Sequence, residues 1–123
     1  MKIATIILST MLLTGCGIPS ISFYDDNESL LAVEVRSSVD LLDCSTTQAP
    51  QVKSIQTSVN KFLFYSEAKG SSDVEEMIVP MKETVDSFYN RVKDKDSVVF
   101  CKLKKKVMVQ QSETIADAVM SRF

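Results

Sequence analysis

Apolar residues recur along this chain at steps of three and four, the period of a helix with one buried face. Leu31, Val35, Val39 and Leu42 mark a first helix that ends near Cys44. Asp25 and Glu28 form an Asp-x-x-Glu pattern ahead of it, resembling a capping box, in which side-chain oxygens satisfy helix amides that have no intrahelical acceptor. The polar segment Ser45 to Gln48, with Ala49 and Pro50, breaks the pattern, and Pro50 suits the first turn of a new helix. Val52, Ile55, Val59, Phe62 and Ser66 then give a second amphipathic face, stopped by Lys69-Gly70-Ser71. Ser72-Asp73-Val74-Glu75 reads as the capping box of a third helix with Val74, Met77, Met81, Val85, Phe88 and Val92 on one side. Pro80 lies inside that run and removes one backbone hydrogen bond, so a kink or a late start is expected there. Asp94-Lys95-Asp96-Ser97 is the next polar break.

The last segment is ambiguous. Val98-Val99-Phe100-Cys101 alone has the β-branched and aromatic character of a strand. Val99, Leu103, Val107, Gln110, Thr114 and Val119 nevertheless keep close to helical spacing, and Ile115, Ala118 and Val119 share one side of the tail. A fourth helix is expected, with a short strand over 98–103 as the alternative. The fold class is therefore all-α: a small bundle or set of hairpins of three to four helices. The scarcity of turn residues agrees, since the whole chain has three glycines and three prolines.

A different pattern occupies the N-terminus. Lys2 precedes an apolar run from Ile3 to Leu13, interrupted only by Thr5, Ser9 and Thr10, and small residues Thr14 and Gly15 lead into Cys16. A charged n-region, a short apolar h-region and small residues before a cut are the parts of a secretory signal. The run is too short for a spanning helix, which takes about 20 apolar residues. The order Leu13-Thr14-Gly15-Cys16 resembles the lipobox of bacterial lipoproteins. That resemblance implies removal of residues 1–15, a diacylglycerol on the Cys16 sulfur and acylation of the new amine. Two or three acyl chains make a nearly permanent anchor, because each buried methylene contributes about 0.8 kcal/mol. By the same resemblance, Gly17 in place of Asp points to the outer membrane, with residues 16–25 as an acylated tether and 26–123 as a helical periplasmic domain.

Removing fifteen of the 123 residues leaves 108, enough for one small domain. Lys2 goes with the signal, so 13 basic residues face 16 acidic ones and the net charge is −3. That mild acidity argues against a nucleic-acid partner. Of the three cysteines, Cys16 is assigned to lipid, which leaves Cys44 and Cys101 as an even pair in an exported, oxidising setting. A disulfide between them would close a loop of about sixty residues, worth about 4 kcal/mol in the chain-entropy account. Two buried thiols, or a bridge between two copies, are the alternatives. In an up-down-up-down bundle the first helix ends where the fourth begins, which brings the two cysteines to one pole.

The chain has no histidine and no tryptophan. The commonest general base and metal ligand are thus missing. Two distant cysteines do not read as a zinc site, and no glycine-rich phosphate loop or nucleophile elbow occurs. Asp25-Asp26, Glu75-Glu76 and Asp94/Asp96 fall at helix starts or breaks and read as solvated caps. Met77 and Met81 read as core. Lys102, Lys104, Lys105 and Lys106 read either as a solvated helix face or as a contact for anionic headgroups or an acidic partner. No catalytic residue, metal or cofactor is expected beyond the lipid on Cys16.

A fatty-acylated helical domain without a recognisable catalytic constellation is expected to work through contacts with partners. In layout the chain resembles the outer-membrane spanin lipoproteins of tailed bacteriophages, which implies an inner-membrane partner subunit and disruption of the host outer membrane at lysis. It lacks the proline-rich character common in that class. Superinfection-exclusion lipoproteins, which mask an outer-membrane receptor, are similar in size and anchoring. A structural envelope lipoprotein is the third reading.

Overall fold

The computed structural model describes residues 24–122; Cys16 and the expected signal over 1–15 lie outside them. Four helices follow in order: α1 (Asp26–Asp40), α2 (Ala49–Lys69), α3 (Ser72–Val92) and α4 (Val98–Met120). Each packs on two neighbours, in a ring that α4 closes against α1. Short connections make successive helices antiparallel, so the fold is an up-down-up-down all-α bundle. No strand occurs among the described residues, so Val98 to Leu103 is helical.

The helix ends show why the chain breaks where it does. Asp25 Oδ1 accepts the backbone N–H groups of Asn27 and Glu28 at 2.8 and 3.2 Å, so half of the expected capping box forms. The other half does not, because Glu28 turns inward and pairs with distant cations. Gly70 ends α2 at φ 81°, in the left-handed region that lacks a penalty only for glycine. Its N–H donates to the Glu67 carbonyl and that of Ser71 to the Ser66 carbonyl, closing the helix end. α3 begins at Ser72 and runs through Pro80 without a late start. Pro80 is exposed, so solvent can reach the turn that lost its hydrogen bond. The N-cap of α3 is Ser71 rather than Ser72, and the Ser71 hydroxyl donates to Glu28. At the start of α4, Ser97 Oγ accepts the Phe100 N–H at 3.3 Å.

The core follows these helices with two corrections. On α1 and α2 the expected positions Leu31, Val35, Val39, Val52, Ile55, Val59 and Phe62 are buried, joined by Ala32, which the pattern did not mark. On α3 the core residue is Ile78, not Met77, which leaves steps of four and three through Val74, Ile78, Met81, Val85, Phe88 and Val92. On α4 the expected face is largely wrong. Val99 is 81 % exposed and Leu103 58 %, while Cys101, Met108, Ile115, Ala116 and Val119 are buried.

The reason is the cystine. Cys44 and Cys101 are bonded with Cα atoms 5.7 Å apart, and Cys101 is wholly buried. Fixing Cys101 inward rotates α4 so that positions 101, 105, 108, 112, 115 and 119 face the interior, stepping by four and three. α1 ends at Asp40 rather than near Cys44, so Cys44 sits in the loop that follows.

Replacing both Cys44 and Cys101 by Ala should lower unfolding free energy by about 4 kcal/mol, because the unfolded chain regains the entropy of a long closed loop. Urea titration with and without reductant measures it. A wild-type protein indifferent to reductant would contradict the pairing.

Candidate functional site

The two poles of the bundle are closed by different chemistry. At the cystine pole, Gln48 is fully buried between the α1–α2 and α3–α4 loops. Its Nε2 donates to the Cys44 carbonyl at 3.1 Å, and its Oε1 accepts the Ser97 N–H at 3.1 Å. Its own backbone N–H donates to Asp96 Oδ1 at 3.0 Å. A single side chain thus ties both loops beside the disulfide. Gln48 had no sequence signal, since Asp96 and Ser97, the partners that fix it across the two loops, lie 48 and 49 positions away.

The four candidate lysines divide by task. Lys105 occupies a core-register position on α4, and its Nζ donates to the carbonyls of Asp40 and Leu42 at 3.2 and 2.7 Å. It therefore caps the carbonyl end of α1, where a cation is favoured by the helix dipole. Lys104 lies over the Phe100 ring at 5.3 Å, and Arg91 lies at 5.7 Å from the same ring. Phe100 in turn meets Phe88 edge-on at 5.9 Å, so the two cations cover the end of the core. Only Lys102 and Lys106 stand exposed, with no ion-pair partner among the described residues.

At the opposite pole, where the chain enters at Tyr24, lies a charge cluster. Glu28 has no exposed surface. Its carboxylate accepts Lys69 Nζ at 2.6 Å, the Ser71 hydroxyl at 3.2 Å and Arg122 at 3.3 Å. Arg122 also pairs with Asp73, and Lys69 with Asp25 at 3.3 Å. Tyr65 donates its hydroxyl to Asp25 at 2.9 Å. One buried acid from α1 thus gathers groups from the ends of α2 and α4 and the start of α3. Sequence reading placed Glu28 only as a cap.

Burial pushes the Asp25 carboxyl up, but the Tyr65 hydroxyl, the Glu28 amide, Lys69 and the Asn27 amide together outweigh it and hold the group below its ordinary 3.8. Burial likewise pushes Lys69 down, and its bonds to Glu28 and Asp25 outweigh that, leaving it above 10.5. The arrangement stabilises the charged forms of Asp25 and Lys69. Among the described residues no three acidic or cysteine side chains gather as a metal ion would need. None of the described helices is long and apolar enough to cross a membrane.

Charge is also unevenly distributed along the bundle. A plane through Val33, Val59, Lys82 and Val109 halves the four helices. Counting Lys82 with the Tyr24 end, that half holds nine acidic and four basic residues, and the cystine half seven acidic and nine basic. The lysines are thus gathered at the pole farthest from the chain's entry, about 30 Å away along a 21-residue helix. Comparison with known proteins adds nothing to the geometry: no family model, curated protein or solved structure matches this chain.

Glu28→Ala leaves Lys69 and Arg122 with only their outer partners and should cost about 3 kcal/mol, at the lower end for breaking a buried ion pair. Chemical denaturation measures it.

The pH dependence has a definite sign. The lowered Asp25 carboxyl contributes stability that is present above pH 3.8 and lost as pH falls through its folded value. The raised Lys69 contributes stability that is present below pH 10.5 and lost as pH rises through its folded value. Thermal midpoints should therefore hold between those limits and fall on either side. Asp25→Asn should flatten the acid limb, and an unchanged limb would rule out this assignment.

Proposed function

We propose that the chain is a lipid-anchored envelope protein, held by Cys16 at the outer membrane, whose bundle acts as a compact contact module that masks or occupies a receptor. The supporting observation is the double closure of the bundle, by a cystine at one pole and a buried ion cluster at the other. A module braced at both ends suits occupation of a surface better than extension across a gap. Cys44 and Cys101 are also joined to each other, so the described residues keep no thiol for a covalent link to a second protein. On this reading the superinfection-exclusion type of lipoprotein is favoured over the spanin type, whose work requires a long reach.

The Cys16 lipid supplies retention at the bilayer, and the domain supplies recognition. The tether enters the acidic pole of the bundle. An anionic leaflet would repel that pole, so the bundle is held off the surface that anchors it rather than pressed end-on against it.

Expressing the gene alone in a susceptible bacterium should reduce phage adsorption or DNA entry. Wild-type protein should incorporate labelled palmitate, and Cys16→Ser should lose both the label and the protection. Unimpaired infection, together with infected cells that cannot complete lysis when the gene is deleted, would favour the spanin reading instead.

A further inference from the structure

The fold uses one face of α4 and leaves another outside. Of that outer face only Val99 and Gln110 were expected from the sequence to be core; Lys102 and Lys106 were read as solvated or as a contact. Taking Lys106 as centre, positions 99, 102, 110, 113, 117 and 120 all fall within about 40° of it on a helix of 3.6 residues per turn. Every one of them is exposed. Apolar residues close the stripe at both ends, with Val99 81 % and Met120 46 % exposed.

The order of chemistry along the stripe inverts about its middle. Lys102 and Lys106 lie in the first half, Glu113 and Asp117 in the second, and Gln110 lies between. The pairs Val99/Met120, Lys102/Asp117 and Lys106/Glu113 share one midpoint, between Val109 and Gln110. Reversing the helix about that point places each lysine opposite an acid and each apolar end opposite the other. A surface that complements its own reversed copy is what a twofold-symmetric contact requires, since residue i then meets j and j meets i.

We propose that α4 pairs antiparallel with α4 of a second copy of this chain, with the twofold axis passing beside Gln110. Lys102 meets Asp117 of the partner subunit, Lys106 meets Glu113 of the partner subunit, and Val99 packs on Met120 of the partner subunit. Glu113 already faces Arg36 of its own chain at 3.7 Å, with both side chains about half exposed. A second cation can approach its open side.

A contact of one helix face is small, and exposed ion pairs are individually weak, so the pair belongs to the transient class. Confinement of copies to one membrane would raise their effective concentration and favour it. Antiparallel pairing sends the two tethers out at opposite ends. Nine residues from Cys16 to Asp25 reach at most about 30 Å, enough for both anchors to meet one bilayer if the bundles lie along it. The inference goes beyond the contact function above and does not rest on it, because it is read from α4 alone.

Cysteine placement in the full-length chain tests it. Gln110→Cys should form a disulfide-linked dimer on mild oxidation, because the two copies of that position meet at the axis. Val99→Cys alone should not, but mixed with Met120→Cys it should give the cross-linked pair. In the Gln110→Cys background, Lys102→Glu with Lys106→Glu should cut the dimer yield at least tenfold. Adding Glu113→Lys and Asp117→Lys should restore it, which separates lost complementarity from misfolding. Raising salt should lower the yield of the Gln110→Cys protein. No Gln110→Cys dimer, a Val99→Cys dimer, or a lysine-reversed protein that links as well as the parent would overturn the proposal. So would cross-linking that the fourfold exchange fails to restore while circular dichroism stays native. Palmitate labelling of the same strains reads the anchor separately, so failure of one claim is not mistaken for failure of the other.

Discussion

The arrangement turns on a carboxylate that water does not reach. Glu28 stands at the start of α1 with no exposed surface, and its charge is tolerable only because Lys69, Arg122 and the Ser71 hydroxyl converge on it. An isolated buried carboxylate would take up a proton or open the structure. Meeting that demand brings the end of α2, the start of α3 and the end of α4 to one point. The ionic closure does at this pole what the cystine does at the other. The ion cluster specifies which ends meet; the covalent bond limits how far the unfolded chain can spread.

The cystine has a second effect, on rotation. α4 carries apolar residues on more than one side, and its own sequence does not choose between them. Joining Cys101 to Cys44 turns one face inward. Lys105 then falls on a core-register position, where an ammonium would ordinarily be excluded. It is accommodated because α1 stops at Asp40, and the carbonyls of Asp40 and Leu42 receive its Nζ. The early end of α1 and the inward lysine are two sides of one solution. Val99 and Leu103 are the residues left outside by it.

Legibility in the sequence follows the same division. Helices α1 and α2 were readable because a continuous run of apolar positions keeps helical spacing along each, and Gly70 marks the stop of α2 with a backbone angle that other residues avoid. On α3 the choice between adjacent apolar residues, Met77 and Ile78, depends on the phase of the whole helix. Local spacing reads either equally well. On α4 the phase is set by a bond to a residue 57 positions away. Glu28 and Gln48 were beyond reach for the same reason: a buried polar group is recognised by its partners, and Lys69 and Arg122 lie 41 and 94 positions from Glu28. The lysine run was visible as charge, but its separation into a helix cap, a ring contact and two exposed groups required the packing.

Charge placement then connects fold to orientation. Acidic residues gather where the chain enters and basic ones where the cystine closes it, yet the chain as a whole is only mildly acidic. Such a gradient costs little within one bundle, since the groups of like sign at each end are mostly exposed and screened. Between copies it matters more. Parallel neighbours would set like poles side by side, whereas antiparallel neighbours set basic against acidic. The stripe on α4 repeats on one helix the gradient of the whole domain, so the short-range pairs and the long-range field favour the same arrangement. Copies of this chain brought close together would thus be biased toward alternating, antiparallel association by the same residues that the interior of the bundle had no use for.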